Sequence, residues 1–300
     1  MKKLLLIGGN GFVGTHLRIA LETKFVVIST GRDVDVRDLN KLHALVSSVQ
    51  PDMVVHLAAV TTLSESFANP QDTYDINFFG TLNVLIALRK SNFVGRILYV
   101  SSSEVYGLLA ETELPITESR VVKPLSPYAV AKIAAEALCY QWSQTEKFEI
   151  VIARPFNHIG PGQSERFAIS DFGKQIAAIK LGLAKPVIHV GDIDTTRDFT
   201  DVRDIVGAYH LMLYQGGNGE TYNVCSGIER NIRTLIERMC QLAGVVVELH
   251  SEPVRWRPSE QRRVQGGNQK LSDATGWMPA HTLDQTLTDI VDYWVKQLNA

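Results

Sequence analysis

At 300 residues and 45% hydrophobic content, the chain is long enough for one large core, or one core plus a smaller lobe. Its formal charge is −2 with acidic and basic residues intermixed, which argues against a nucleic-acid binder with a clustered basic face. Cys139, Cys225 and Cys240 lack metal-ligand spacing, so the expectation is a reduced, cytoplasmic protein with no metal.

The first apolar run, Leu4–Ile7, reads as a buried strand. It stops at Gly8-Gly9, short of a signal-peptide core, and no later run nears the roughly 20 residues of a membrane span. No membrane association is expected. The strand runs into Gly8-Gly9-Asn10-Gly11-Phe12-Val13-Gly14 and then a helix over Gly14–Leu21. Glycines at 8, 11 and 14 allow a tight turn, close approach of a pyrophosphate and close packing of the helix, whose N-terminus favours phosphate. A glycine triplet alone is weak; one between a strand and a helix is the dinucleotide-binding context.

The second strand, Phe25–Ile28, leads to Ser29-Thr30-Gly31-Arg32. NAD selectivity uses a carboxylate at such a strand end, whereas a guanidinium suits the 2′-phosphate of NADP. Arg32 therefore favours NADP(H), with NAD(H) kept open by Asp33 and Asp35. A helix over Leu39–Val49, a strand over Met53–Leu57, a helix over Thr81–Leu88 and a strand over Ile97–Val100 follow. This alternation predicts an α/β fold, a Rossmann doubly wound parallel sheet.

After the fourth strand comes Ser101-Ser102-Ser103-Glu104, where a serine hydroxyl can orient a substrate oxygen. The helix over Tyr128–Gln144 then places Tyr128 and Lys132 on one face. A tyrosine near pKa 10 shuttles protons poorly at neutral pH, and a neighbouring ammonium together with an oxidised nicotinamide is expected to favour its phenolate. Ser102, Tyr128 and Lys132 are the catalytic candidates, with Glu104 beside them.

Beyond the strand Ile150–Ala153 the chain is rich in proline and glycine, with helices over Val202–Leu213 and Ile232–Ala243, a strand near Thr221–Val224 and a final helix over Leu283–Leu298. The expected division is a dinucleotide-binding domain over 1–155 with return segments near 195–225. Residues 156–194 and 226–300 mainly form a smaller substrate lobe. The last helix has an apolar stripe at Ile290, Trp294 and Leu298, suited to core or dimer packing.

Taken together, Gly8–Gly14, His56-Leu57-Ala58-Ala59, Asn77 with Gly80-Thr81, Ser102, Tyr128/Lys132 and Arg154-Pro155-Phe156-Asn157 resemble the extended short-chain dehydrogenase/reductase superfamily. The resemblance implies that Gly8, Asn10, Gly11, Phe12, Val13, Gly14, Arg32, Asp35, Val36, Leu57, Ala58, Ala59, Asn77, Tyr128, Lys132 and Pro155 hold the cofactor. Asp35 and Val36 would approach the adenine, Lys132 the nicotinamide ribose, and Ser102 and Tyr128 the sugar. A homodimer paired through long helices, Tyr128–Gln144 among them, is also implied.

A narrower resemblance, to GDP-6-deoxy-D-mannose reductases, lies in Ala153–Gln163, Gly191–Asp194 with Arg197-Asp198-Phe199, Tyr222–Gly227 and Glu260–Arg263. It implies reduction of the C4 ketone of GDP-4-keto-6-deoxy-D-mannose to GDP-D-rhamnose. Ser103, Glu104, Asn157, Arg197, Arg257, Glu260, Arg262 and Arg263 would hold this nucleotide sugar; arginine forks suit diphosphate oxygens. For each arginine the competing reading is a surface salt bridge. Glu104 also fits a 4,6-dehydratase, where a carboxylate in its place acts as base, or an epimerase with His158 as partner. Delivery of hydride to the opposite sugar face would give the talose epimer. A non-catalytic dinucleotide sensor is the remaining alternative, and has no use for the full Ser102/Tyr128/Lys132 set.

Overall fold

The apolar runs of the first half lie side by side as strands β1 (Lys3–Ile7), β2 (Val26–Ser29), β3 (Met53–His56), β4 (Arg96–Val100) and β5 (Glu149–Pro155) of a computed structural model describing residues 1–252, 254 and 261–299. With β9 (Thr221–Val224) they form a six-stranded sheet of order β2-β1-β3-β4-β5-β9, every neighbouring pair parallel. The strand order reverses at β1, so the glycine loop leaves the sheet at the switch point where α/β folds bind ligands.

Both faces of this sheet are covered. Leu4 and Leu6 point to one side, against Leu17 and Leu21 of α1 (Phe12–Leu21) and Ile205, Tyr209 and Met212 of α8 (Val202–Gln215). Leu5 and Ile7 point to the other, against α2 (Leu39–Val49), α5 (Gly80–Lys90) and α6 (Pro127–Thr145). Two buried faces explain why these strands read as unbroken apolar runs instead of alternating ones.

Between β3 and α5 the chain makes two short helices, α3 (Leu63–Ala68) and α4 (Pro70–Tyr74), and a widened π-helical turn over Asp75–Phe79. Helical periodicity over Thr81–Leu88 predicts only α5; α3 and α4 are too short to carry a period. The final residues of the described chain agree with the expected helix, α11 (Leu283–Leu298).

The second lobe gathers α7 (Ala168–Lys180), α9 (Ile232–Ala243) and α11 around Ile176, Ile188, Leu235, Ile236, Met239, Leu287 and Ile290. A parallel pair, β7 (Val187–Val190) with β11 (Glu248–Ser251), lies beside them. A three-stranded sheet of β10 (Glu229–Asn231), β8 (Thr196–Asp201) and β6 (Asn157–Ile159) continues from the end of β5. α7 and the short strands go unread in the sequence, since exposed and buried residues mix there without a clear repeat. The helix α10 (Gln269–Thr275) returns to the first lobe: Leu271 and Trp277 sit in the main-sheet core, and Trp277 Nε1 donates to Asp204 O at 3.0 Å.

Candidate active site

The glycine loop forms a cradle that fits a pyrophosphate. Gly8 has φ of +80°, and a Cβ there would lie 2.5 Å from Ala58 N. A Cβ on Gly14 would lie 2.2 Å from Gly9 O, so α1 packs against the loop only without one. At Gly11 the same Cβ would meet only Gly8 O, at 3.6 Å, and otherwise open space. Gly11 caps α1 with no side-chain hydrogen bond to the first-turn N–H groups, which leaves a helix N-terminus suited to an anion. Leu57, Ala58 and Ala59 follow β3 alongside; Leu57 N and Ala58 N both donate to Ile7 O, at 2.8 and 3.0 Å.

Asn10 turns toward the second strand, where Ser29 Oγ donates to its Oδ1 at 3.2 Å and its amide packs on Gly31. Beyond it, Asp35 is held by Arg37 through Nε at 3.0 Å and Nη2 at 2.7 Å, and Arg37 Nη1 reaches Asp72 Oδ1 at 3.1 Å. The Arg37 bond keeps the Asp35 carboxyl below its ordinary pKa. Arg32 is exposed and has no hydrogen bond or ion pair among the described residues. Asp35 is thus engaged by a guanidinium, whereas the Arg32 guanidinium is exposed. Val36 is buried against Gly80. Asn77 lies in the π-helical turn and its amide clamps Val60, accepting from N at 2.8 Å and donating to O at 3.1 Å. It shapes the loop after β3 from behind.

Ser126-Pro127 starts α6: Ser126 Oγ accepts from Ala129 N at 3.1 Å and Pro127 occupies the first turn. That start puts Tyr128 at the mouth of the helix, with Lys132 one turn further in. Tyr128 is buried and its phenol is within hydrogen-bonding reach of Ser102. Ser102 Oγ accepts from Glu104 N at 3.2 Å. Lys132 Nζ donates to Val100 O at 2.7 Å and lies 5.9 Å from the centre of the Tyr128 ring.

Burial raises the Tyr128 phenol to about 12, opposed by Ser102, with no lowering by Lys132. Burial likewise pushes the Lys132 ammonium down to about 8. The ammonium is tied to Val100 instead of the phenol, so in this state the tyrosine is held protonated and not as phenolate.

Ser103 and Glu104 open the short helical turn Ser103–Tyr106, which packs on α6. The Glu104 carboxylate is reachable by water but surrounded by protein, and this crowding raises its pKa against the pull of Arg197. Burial lowers the Arg197 pKa against the pull of Glu104. Its Nη1 donates to Thr196 O at 2.6 Å. Asn157 is exposed at the start of β6, just beyond Pro155 and Phe156.

The structure treats the remaining arginines unequally. Arg262 pairs with Asp192 and donates to Asp194 O at 3.1 Å. Arg263 gives Nε and Nη2 to Glu229, at 2.8 and 2.7 Å, and Nη1 to Glu111 at 3.0 Å. These bonds tie the Arg263 segment to β10. Arg257 and Glu260 lie outside the described residues. His158 stacks on Phe12, with centroids 6.1 Å apart and planes 5° apart, and its Nδ1–H donates to Phe156 O at 3.0 Å. Burial lowers its pKa. With His16 Nε2 donating to Pro161 O at 2.9 Å, these contacts join the glycine-loop helix to the loop after β6.

Two further residues of consequence lie beneath Tyr128 and Lys132, and no motif assigns them a role. Glu136 and Arg154 form an ion pair at 2.5 Å, with side chains 5% and 8% exposed. The available signal was spacing: Glu136 falls four residues after Lys132, on the same helix face.

Against known proteins, residues 24–290 match the GDP-mannose 4,6 dehydratase family. The chain belongs to that family. Within it, the chain is 45% identical to a GDP-6-deoxy-D-mannose reductase from Pseudomonas aeruginosa, covering 99% of this chain and 98% of that one. The solved structure of RMD from Pseudomonas aeruginosa, complexed with NADPH, superposes with a TM-score of 0.93 at 44% identity, covering 99% of this chain and 100% of that one. A GDP-6-deoxy-D-talose 4-dehydrogenase from Aggregatibacter actinomycetemcomitans is 27% identical, covering 91% of each chain. The family contains oxidoreductases and dehydratases built on one α/β fold, which is the fold found here.

Proposed function

We propose that the protein reduces the C4 ketone of GDP-4-keto-6-deoxy-D-mannose to GDP-6-deoxy-D-mannose with NADPH. The observation that carries this reading is the 45% identity, along nearly the whole of both chains, to a reductase of that name. The exposed Arg32 and the engaged Asp35, together with the NADPH bound by the similar RMD structure, support NADPH over NADH.

Bound NADPH supplies the hydride. The chain's own residues manage the proton and the oxygen. Tyr128, held protonated by burial, donates its proton to the oxygen that develops negative charge at C4. Ser102, in reach of that phenol, hydrogen-bonds the same oxygen. Lys132 keeps one N–H on Val100 O and presents its charge to the cofactor side of the cleft. Arg197, Asn157 and Arg262 hold the distant diphosphate, whose binding positions the sugar.

Glu104 is the residue on which a dehydratase reading turns. The decisive assay follows NADPH absorbance with the keto sugar, then assigns C4 of the product by NMR. In the reductase, Glu104→Gln retains oxidation of NADPH within about tenfold, because no base is needed at C5. Conversion of a GDP-hexose to a keto sugar without net loss of NADPH, abolished in Glu104→Gln, would establish the dehydratase instead.

The same reading places the protein in the cytoplasm as a homodimer. All three cysteines are buried free thiols, in keeping with a reducing compartment. Phe67, Phe79, Val130 and Tyr140 are exposed on α3, the π-helical turn and α6, which pack on one another and offer an apolar face to a second copy.

A further inference from the structure

Tyr128, Lys132 and Glu136 succeed one another at intervals of four along α6, so the face that enters the cleft continues inward to a carboxylate. Ser101, the neighbour of Ser102, donates its hydroxyl to Glu136. Arg154 Nε lies 3.0 and 3.1 Å from the two Glu136 oxygens, and Nη2 lies 2.5 Å from Oε2. The third arm, Nη1, donates to Tyr106 OH at 3.0 Å. Tyr106 ends the turn that carries Ser103 and Glu104, and donates to Asn223 Oδ1 at 2.6 Å. Asn223 Nδ2 donates to Ile116 O at 3.0 Å.

This chain of bonds joins four segments around Tyr128 and Ser102: α6, the end of β4, the turn after it, and β5 on its way to Asn157. A buried ion pair is a poor way to gain stability, since desolvation offsets most of the attraction and apolar residues of equal volume often do as well. A fork-to-carboxylate pair is, however, a good way to fix orientation. Lys132 is buried with Glu136 on its own helix, Tyr99 on β4 at 5.1 Å from ring centre to Nζ, and His56 on β3. Burial holds His56 neutral and the Cys139 thiol protonated, so Glu136 is the anion facing that ammonium.

We propose that the Glu136–Arg154 pair is a positioning device for catalysis: it holds Ser102 and Tyr128 in register and keeps Lys132 charged. The proposal rests on the reductase reading of the site, and its test separates the two. NADPH oxidation by the unmodified enzyme tests the reading. Glu136→Gln tests the device: kcat falls about 10- to 100-fold, as expected for a misplaced reacting group. The NADPH Kd stays within about threefold, and the alkaline limb of kcat moves to lower pH. Glu136→Met/Arg154→Met, which removes both charges, stays folded and equally slow. Ser101→Ala, which keeps the pair and removes one bond, slows kcat a few-fold and serves if the charge variants do not fold.

The Lys132 titration, read by NMR of 13C-labelled lysine, reports the same relay without substrate; it moves down in Glu136→Gln. An unmoved Lys132 titration overturns the proposal even if the reductase reading stands. So does wild-type kcat per NADPH-binding site in any of the folded variants. Absence of NADPH oxidation by the unmodified enzyme, with the Lys132 shift present, overturns the reading and leaves the device.

Discussion

Tyr128 and Lys132 share one wall of the cleft, and burial moves the pKa of each away from its charged form. With the phenol at about 12 and the ammonium at about 8, the group that titrates in the working range is the lysine. We expect kcat/KM to fall above about pH 8, and that limb to vanish in Lys132→Met together with most of the activity. Stability carries the opposite sign. Between about 8 and the ordinary lysine value of 10.5 the unfolded chain binds the proton and the folded one does not. Stability from this group therefore rises with pH across that window and is constant below it. Denaturant melts at pH 7.5 and 9.5, compared with Lys132→Met, measure it. At the other end of the cofactor, a charge-assisted bond from Arg32 to a 2′-phosphate is worth about 1.5–3 kcal/mol. Arg32→Ala should raise the KM for NADPH by about 10- to 100-fold and leave that for NADH nearly unchanged; equal changes in both would remove Arg32 from the site.

For the elements, α1 and its loop offer a paired test of fold against binding. Gly14 faces the backbone of Gly9, so Gly14→Ala forces α1 off the loop and lowers Tm along with NADPH affinity. Gly11 faces open space, so Gly11→Ala leaves Tm within about 2 °C while filling the phosphate cradle and weakening NADPH binding at least tenfold. Calorimetry with and without NADPH reads both effects. A strong local signal makes this element legible beforehand: glycines fix the loop between a strand and a helix. The π-helical turn had no such mark. Its widened geometry lets Asn77 reach Val60, and that depends on the packing of α4 and α5 on α6.

On the scale of the whole molecule, two cores flank the main sheet and a third fills the second lobe. The contacts of Phe12 with His158 and of His16 with Pro161 bring the start of α1 against β6 and the loop after it. If the apolar face of α6 pairs two copies, Tyr140→Glu should shift the mass measured by light scattering from dimer to monomer. An unchanged mass would place the interface elsewhere. By itself the sequence determined what short-range chemistry can encode: the succession of the main-sheet strands, the glycine cradle, and the Tyr128/Lys132 spacing. The tertiary structure decided what depends on partners far apart in the chain. It drew Arg263 to Glu229 and Glu111, tied Asp35 to Arg37, and put Glu136 and Arg154 under the catalytic face. Whether a charged side chain serves a ligand or another side chain depends on which groups reach it, and no local pattern records that.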